Sequence, residues 1–204
     1  MKKNIKIFTL ITLIFLVFAC SKVKESNFYV LEYRPTVPEK LKDHKKLPYT
    51  IQVNEFSINR AYDNSRIVIR ESAHKIMYDR YSLWALRPQQ SFADMLVQHI
   101  NKLQIFTSCQ KRFLHKQPDY LIQGEIRKIE KYHNPEISRA DLQFKIEMYD
   151  MDIDRIVLCK EFTSYEKLYT DNMSYFAKSI STQINNSFEE FIMDIIDYLE
   201  QKNK

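Results

Sequence analysis

The sequence predicts an α+β domain in which a mixed, mainly antiparallel sheet packs against two amphipathic helices. Three observations carry this reading. Leu142, Phe144, Ile146 and Met148 alternate with Asp141, Gln143, Lys145 and Glu147, the period of two that gives a strand one buried face. Phe92, Met95, Leu96, His99, Ile100 and Leu103 recur at helical spacing, as does a longer series from Phe176 to Leu199. The 204 residues are 45% hydrophobic and 13% aromatic, enough for a single domain with a substantial core.

Residues 1–19 begin with Lys2, Lys3 and Lys6 and continue in an apolar run over residues 7–19. That run is too short to span a bilayer, which takes roughly twenty residues, and suits the apolar region of a secretory signal. It ends Leu16-Val17-Phe18-Ala19-Cys20-Ser21, which resembles a bacterial lipobox. Val17 and Phe18 leave no A-x-A site near Ala19, which favours this over an ordinary signal cleavage. The resemblance implies a diacylglyceryl thioether on Cys20, cleavage before it and acylation of the new amine. Each buried methylene contributes about 0.8 kcal/mol, so two or three chains anchor a domain stably. Ser21 rather than Asp after the cysteine resembles an outer-membrane address in the enteric sorting rule. On this reading residues 20–27 are expected to form a lipidated tether and residues 28–204 a single periplasmic domain.

The first strand is read at 28–33, closed by Pro35 and Pro38. Residues 39–48 carry Lys40, Lys42, Lys45 and Lys46 and read as a solvated connection. Tyr49, Ile51 and Val53 alternate with Thr50, Gln52 and Asn54 as a strand. Ala61-Tyr62-Asp63-Asn64-Ser65 is a polar turn, and two strands follow at 66–70 and 75–81. Trp84-Ala85-Leu86-Arg87-Pro88 ends them, because a proline nitrogen cannot donate to a ladder. The first helix follows, with Ser91 as the expected N-cap. A short strand is read at 105–109 and, after a loop at 112–118, a longer one from Tyr120 to Arg127. The single glycine, Gly124, sits inside that strand and marks a bulge or the close approach of another element. The strand centred on Phe144 turns at 151–154 and pairs antiparallel with 155–165. The last helix runs over about 172–201, capped by Asp171 or Asn172. From Phe188 on, its residues Phe188, Phe191, Ile192, Ile195, Ile196 and Leu199 exceed what one sheet face requires, which places a partner surface there.

One glycine cannot build a Walker A loop, a dinucleotide fingerprint or a nucleophile elbow, each of which needs several at fixed spacing. No cofactor is expected. Without Lys2, Lys3 and Lys6 the 31 basic residues fall to 28 against 26 acidic, too balanced for a nucleic-acid surface. Asp150, Asp152, Asp154 and Glu161 have calcium-loop spacing, but Arg155 occupies the position where that loop needs glycine. The five histidines lack ligand spacing, and His99 belongs to a packed helix face. Cys109 and Cys159 are read as two buried free thiols, with a disulfide between them as the alternative in an oxidising compartment. Trp84 is a core residue on this reading rather than part of a ligand-facing cluster with Tyr78 and Tyr81.

The succession of a strand, Asp63-x-x-Arg66-Ile67-Val68-Ile69-Arg70, Tyr78, Trp84-x-x-x-Pro88 and an amphipathic helix resembles the ABC-type transport auxiliary lipoprotein family. These are the lipoprotein partners of mammalian-cell-entry (MCE) lipid transport systems in double-membrane bacteria. The resemblance covers the mature chain and is sharpest over residues 49–106. It implies a topology like the anticodon-binding-like domain and the amino-terminal domain of TolB-type proteins. It also implies a non-enzymatic, outer-membrane-anchored adaptor whose partner is a periplasmic MCE-domain protein, with self-association by analogy. Two alternatives remain: a lipoprotein that activates an envelope enzyme or scaffolds a secretion pore, and a lipid carrier with its own cavity.

Overall fold

A computed structural model describes residues 25–32, 34, 41 and 44–202. Nine strands, β1 (Asn27–Tyr29), β2 (Leu47–Val53), β3 (Ser57–Ile58), β4 (Arg66–Ser72), β5 (Lys75–Trp84), β6 (Phe106–Gln110), β7 (Tyr120–His133), β8 (Ser138–Asp150) and β9 (Arg155–Lys167), form one sheet. Helix α1 (Pro88–Leu103) lies between β5 and β6, and α2 (Met173–Lys202) closes the chain. The α+β expectation holds.

β7 organises the sheet. Along one edge it pairs antiparallel with β8 over its whole length, and β8 pairs antiparallel with β9. Along the other edge three short strands lie end to end, all parallel to β7. β2 meets Tyr120–Ile122, β3 meets Glu125 and Ile126, and β4 meets Lys131 and Tyr132. The hairpin of β4 and β5 then carries β1 on its outer edge, and β6 flanks β2. The long ladders make the sheet mainly antiparallel, and the short ones make it mixed.

The sequence places β7 only as far as Arg127, because the alternation breaks there. A bulge between Ile126 and Lys128 is the cause. The extra residue shifts the inward face from Tyr120, Ile122 and Ile126 to Ile129 and Lys131, and the strand continues to His133. Gly124 marks a close approach, with the bulge three residues further on. Phe56, 2% exposed, occupies the space over Gly124 on the inner face and packs against Phe92 and Phe188, with centroids 5.5 and 6.3 Å apart.

α1 begins three residues before the expected cap. Arg87 holds the N-cap position, Pro88 supplies the first turn, and Ser91 is buried inside the helix. Asn172 caps α2, its Oδ1 accepting from the Ser174 N–H at 2.8 Å. β1 is shorter than expected, and Phe28 in it is exposed.

One core fills the space between helices and sheet. Phe92 of α1, Phe144 of β8 and Phe188 of α2 meet edge to face at 5.4–6.0 Å, and Phe162 of β9 stacks on Phe144 at 5.0 Å. The partner surface expected on α2 is corrected here. Phe188, Phe191, Ile192, Ile195, Ile196 and Leu199 are each no more than 2% exposed. Their excess over one sheet face is taken up by α1, which packs on α2 while α2 packs on β8 and β9. A helix apolar on several sides is covered on several sides.

Candidate functional site

Two buried-edge ion pairs fix α2 along the sheet and so define the two ends of the molecule. At the first end, Lys131 of β7, 3% exposed, reaches the Asp171 carboxylate just before the helix and donates to the Asp171 carbonyl at 3.1 Å. The Lys131 ammonium holds the Asp171 carboxyl below the usual carboxylate range. At the second end, Lys202 donates to Asp150 Oδ2 at 2.7 Å and to Tyr120 Oη at 2.9 Å. Burial opposes the charge on Asp150, but Lys202 and the backbone N–H groups of Asp152 and Ile153 outweigh it and lower its pKa. Asp150 thus serves both α2 and the turn that follows β8.

The N-terminal segment docks at the first end. Leu31 is buried, Ser181 Oγ accepts from the Glu32 N–H at 3.0 Å, and Asn185 Nδ2 donates to the Glu32 carbonyl at 3.1 Å. This leaves a surface groove of about 410 Å³ between residues 28–32 and α2, lined by Phe28, Val30, Ala177 and Lys178. A second groove of about 160 Å³ lies beyond Lys178 and Thr182, lined by Tyr169 and Tyr175. Phe28 (66%), Val30 (63%), Tyr169 (89%) and Tyr175 (55%) are exposed around these grooves. At the second end, Leu114 in the loop before β7 and Ile153 and Ile156 at the β8–β9 turn are also exposed. Thr50 and Asp119 tie that loop to β2, and the Met151 N–H donates to the Asp119 carbonyl at 3.0 Å.

Between the ends, residues 59–88 form a clamp whose chemistry the sequence does not disclose. Tyr62 Oη donates to Glu130 Oε2 at 2.6 Å, and Arg70 Nε donates to Glu130 Oε1. Glu130 is fully buried on the outer side of β7, beneath this turn. Burial, reinforced by Glu130, pushes the Tyr62 hydroxyl up to about 12. Asp63 Oδ1 accepts from Arg87 at 3.2 Å and Gln89 at 3.1 Å, tying the turn to the start of α1. Tyr78 Oη donates to the Ala61 carbonyl at 3.0 Å. Trp84 is buried against Phe176, apart from the half-exposed Tyr78 and Tyr81, as a core residue should be.

Cys20 and the signal segment lie outside the described residues, as do Lys40 and Lys42. Cys109 and Cys159 are both free, so the disulfide alternative is corrected. They occupy separate strands, β6 and β9, on different flanks of the sheet. Cys109 is buried, which pushes its thiol up to about 12, whereas Cys159 is exposed on β9 rather than buried as expected. Among the described residues, no group of three or more His, Cys, Asp or Glu is placed to hold a metal.

His99 is 1% exposed in α1, and burial, with a smaller contribution from Lys102, lowers its pKa to about 4. The folded chain therefore keeps His99 neutral while the unfolded chain gains a proton below about 6.5. Stability falls as pH drops from about 6.5 to 4, by up to about 3 kcal/mol. Urea unfolding at pH 7.5 and 4.5 should show this loss in the native chain and a correspondingly smaller one in His99→Leu.

The chain belongs to the ABC-type transport auxiliary lipoprotein component family, whose pattern matches residues 29–188. As a member it is an auxiliary component of ABC-type transport, of a lipoprotein family whose members carry a membrane lipid anchor. Protein XCC0632 from Xanthomonas campestris shares the fold with a TM-score of 0.74 at 14% identity, covering 87% of this chain and all of its own. An uncharacterized protein superposes with a TM-score of 0.67 at 10% identity, over 84% of this chain and 99% of its own. Protein CT253 from Chlamydia trachomatis gives 0.52 at 6% identity, over 75% and 98%. At these identities the likeness is one of fold. No curated protein matches the chain.

Proposed function

We propose that this protein is a non-enzymatic adaptor of an MCE-type ABC system for lipid transport or solvent export, anchored to the periplasmic face of the outer membrane through acylated Cys20. The family membership carries this reading, because the matched region begins at Tyr29, close behind the lipobox. The architecture fits the role. One end of the domain receives the tethered segment, and Leu114, Ile153 and Ile156 at the other offer apolar contacts to a periplasmic MCE-domain protein. β9 pairs only with β8 among the described strands, and its open edge suits pairing with a second copy of the chain. Aromatic rings occupy the space between sheet and helices where a carrier's own cavity would lie.

Crosslinking the intact protein in its native membranes, then purifying it and identifying the attached proteins, tests the proposal. The expected partner is an MCE-domain protein, recovered less well when Leu114→Glu and Ile153→Glu are combined. Recovery of peptidoglycan synthases or a secretion pore, without any MCE-domain protein, would remove the transport assignment.

A further inference from the structure

The exposed rings at the first end of α2 stand close to where the chain would leave for its lipid. Asn27, the first residue of β1, lies seven positions after Cys20. A fully extended chain covers about 3.5 Å per residue, so β1 stands within about 25 Å of an acylated Cys20. The surface within that reach is amphipathic. Phe28 and Val30 flank one side of α2, Tyr169 and Tyr175 the other, with Lys178 and Thr182 bordering both grooves. The tether sequence carries Lys22, Lys24 and Glu25, and Lys167 is exposed beside Tyr169.

Three of the carboxylates near this surface have partners. Glu32 pairs with Arg34 at 2.7 Å, Glu166 accepts from Ser179 at 2.6 Å, and Asp171 pairs with Lys131. Exposed phenol rings with aliphatic side chains and lysines suit the headgroup layer of a bilayer, where the ring meets the acyl boundary and its hydroxyl stays wet. The lysines add attraction to anionic lipid within a Debye length of about 8 Å. No described helix is long and apolar enough to cross a membrane, so the contact is interfacial.

We infer that Phe28, Val30, Tyr169, Tyr175 and Lys178 form a face that lies on the phospholipid headgroups of the same bilayer that holds the acyl chains. This inference rests on the lipid-anchor reading. It fixes the orientation of the domain: the start of α2 faces the membrane, and the end carrying Leu114 and Ile153 faces away.

The test uses the full lipidated protein in mixed phosphatidylethanolamine–phosphatidylglycerol vesicles. In a Cys159→Ser background, Phe28→Cys, Tyr175→Cys and Leu114→Cys are each labelled with an environment-sensitive fluorophore, and the lipids carry spin labels near the headgroup. The expected result is several-fold stronger quenching at positions 28 and 175 than at 114. Flotation separates the two ways of failing. Protein that floats with the vesicles but is quenched equally at the three positions, or not at all, overturns the membrane-lying face alone. Protein that does not float overturns the anchor and this inference with it.

Discussion

Gly124→Ala is expected to destabilise the fold by about 3 kcal/mol, at the upper end of overpacking costs. A methyl group there would stand 2.2 Å from Phe56 Cε1, 2.4 Å from its Cδ1 and 2.8 Å from the Lys145 carbonyl oxygen. Phe56 can retreat only by giving up its contacts with Phe92 and Phe188, and core Phe→Ala changes cost roughly 3–5 kcal/mol. The Lys145 oxygen is less able to move, because β8 is paired on both sides. Urea unfolding followed through Trp84, the only tryptophan, reports the change. The double variant Gly124→Ala/Phe56→Ala should lose clearly less than the sum of the single losses, since both act on one space. Additive losses would mean that the methyl group and the ring do not compete.

Arg70→Met has a comparable expected effect, about 3 kcal/mol, because it strands the Glu130 carboxylate in a fully buried site. The Tyr62 hydroxyl still reaches it, but the remaining cation, Lys128, stands 4.0 Å away. Replacing both partners, Arg70→Met with Glu130→Leu, should recover much of the loss, as apolar side chains in place of a buried pair remove the uncompensated charge. The same unfolding measurement decides the matter. A double variant as unstable as Arg70→Met alone would show that the guanidinium acts through packing rather than charge.

The contrast between these two sites shows what a sequence discloses. A single glycine inside an alternating strand is a local signal, and it correctly points to a close approach. The Arg70–Glu130 pair is invisible, because it joins residues sixty apart and depends on a parallel ladder of two residue pairs. The bulge at Arg127 hides it further by reversing which face Glu130 occupies. The three-residue step from Ile126 to Ile129, both buried, was the available trace of that reversal. The helical stripes were legible in full, yet their periodicity could not say how many neighbours would share them. For that reason the apolar excess of α2 reads as a partner surface until α1 is seen packed against it. Exposure of Phe28, Tyr169 and Tyr175 is likewise a tertiary property, with no mark in the local pattern.

The end-to-end seating of β2, β3 and β4 on one edge of β7 has a consequence for how the chain comes together. β2, β3 and β4, within residues 47–72, meet β7 at 120–132, so a chain that emerges N-terminus first presents their β7-facing edges long before that template exists. The hairpins β4–β5, β7–β8 and β8–β9 need only near neighbours in sequence and can form as soon as both strands have emerged. The later half of the protein therefore supplies the platform, and β2, β3 and the free edge of β4 wait unpaired until it emerges, the state in which chains aggregate. A holding factor that acts on this protein would do so in that interval, on the segment that emerges first.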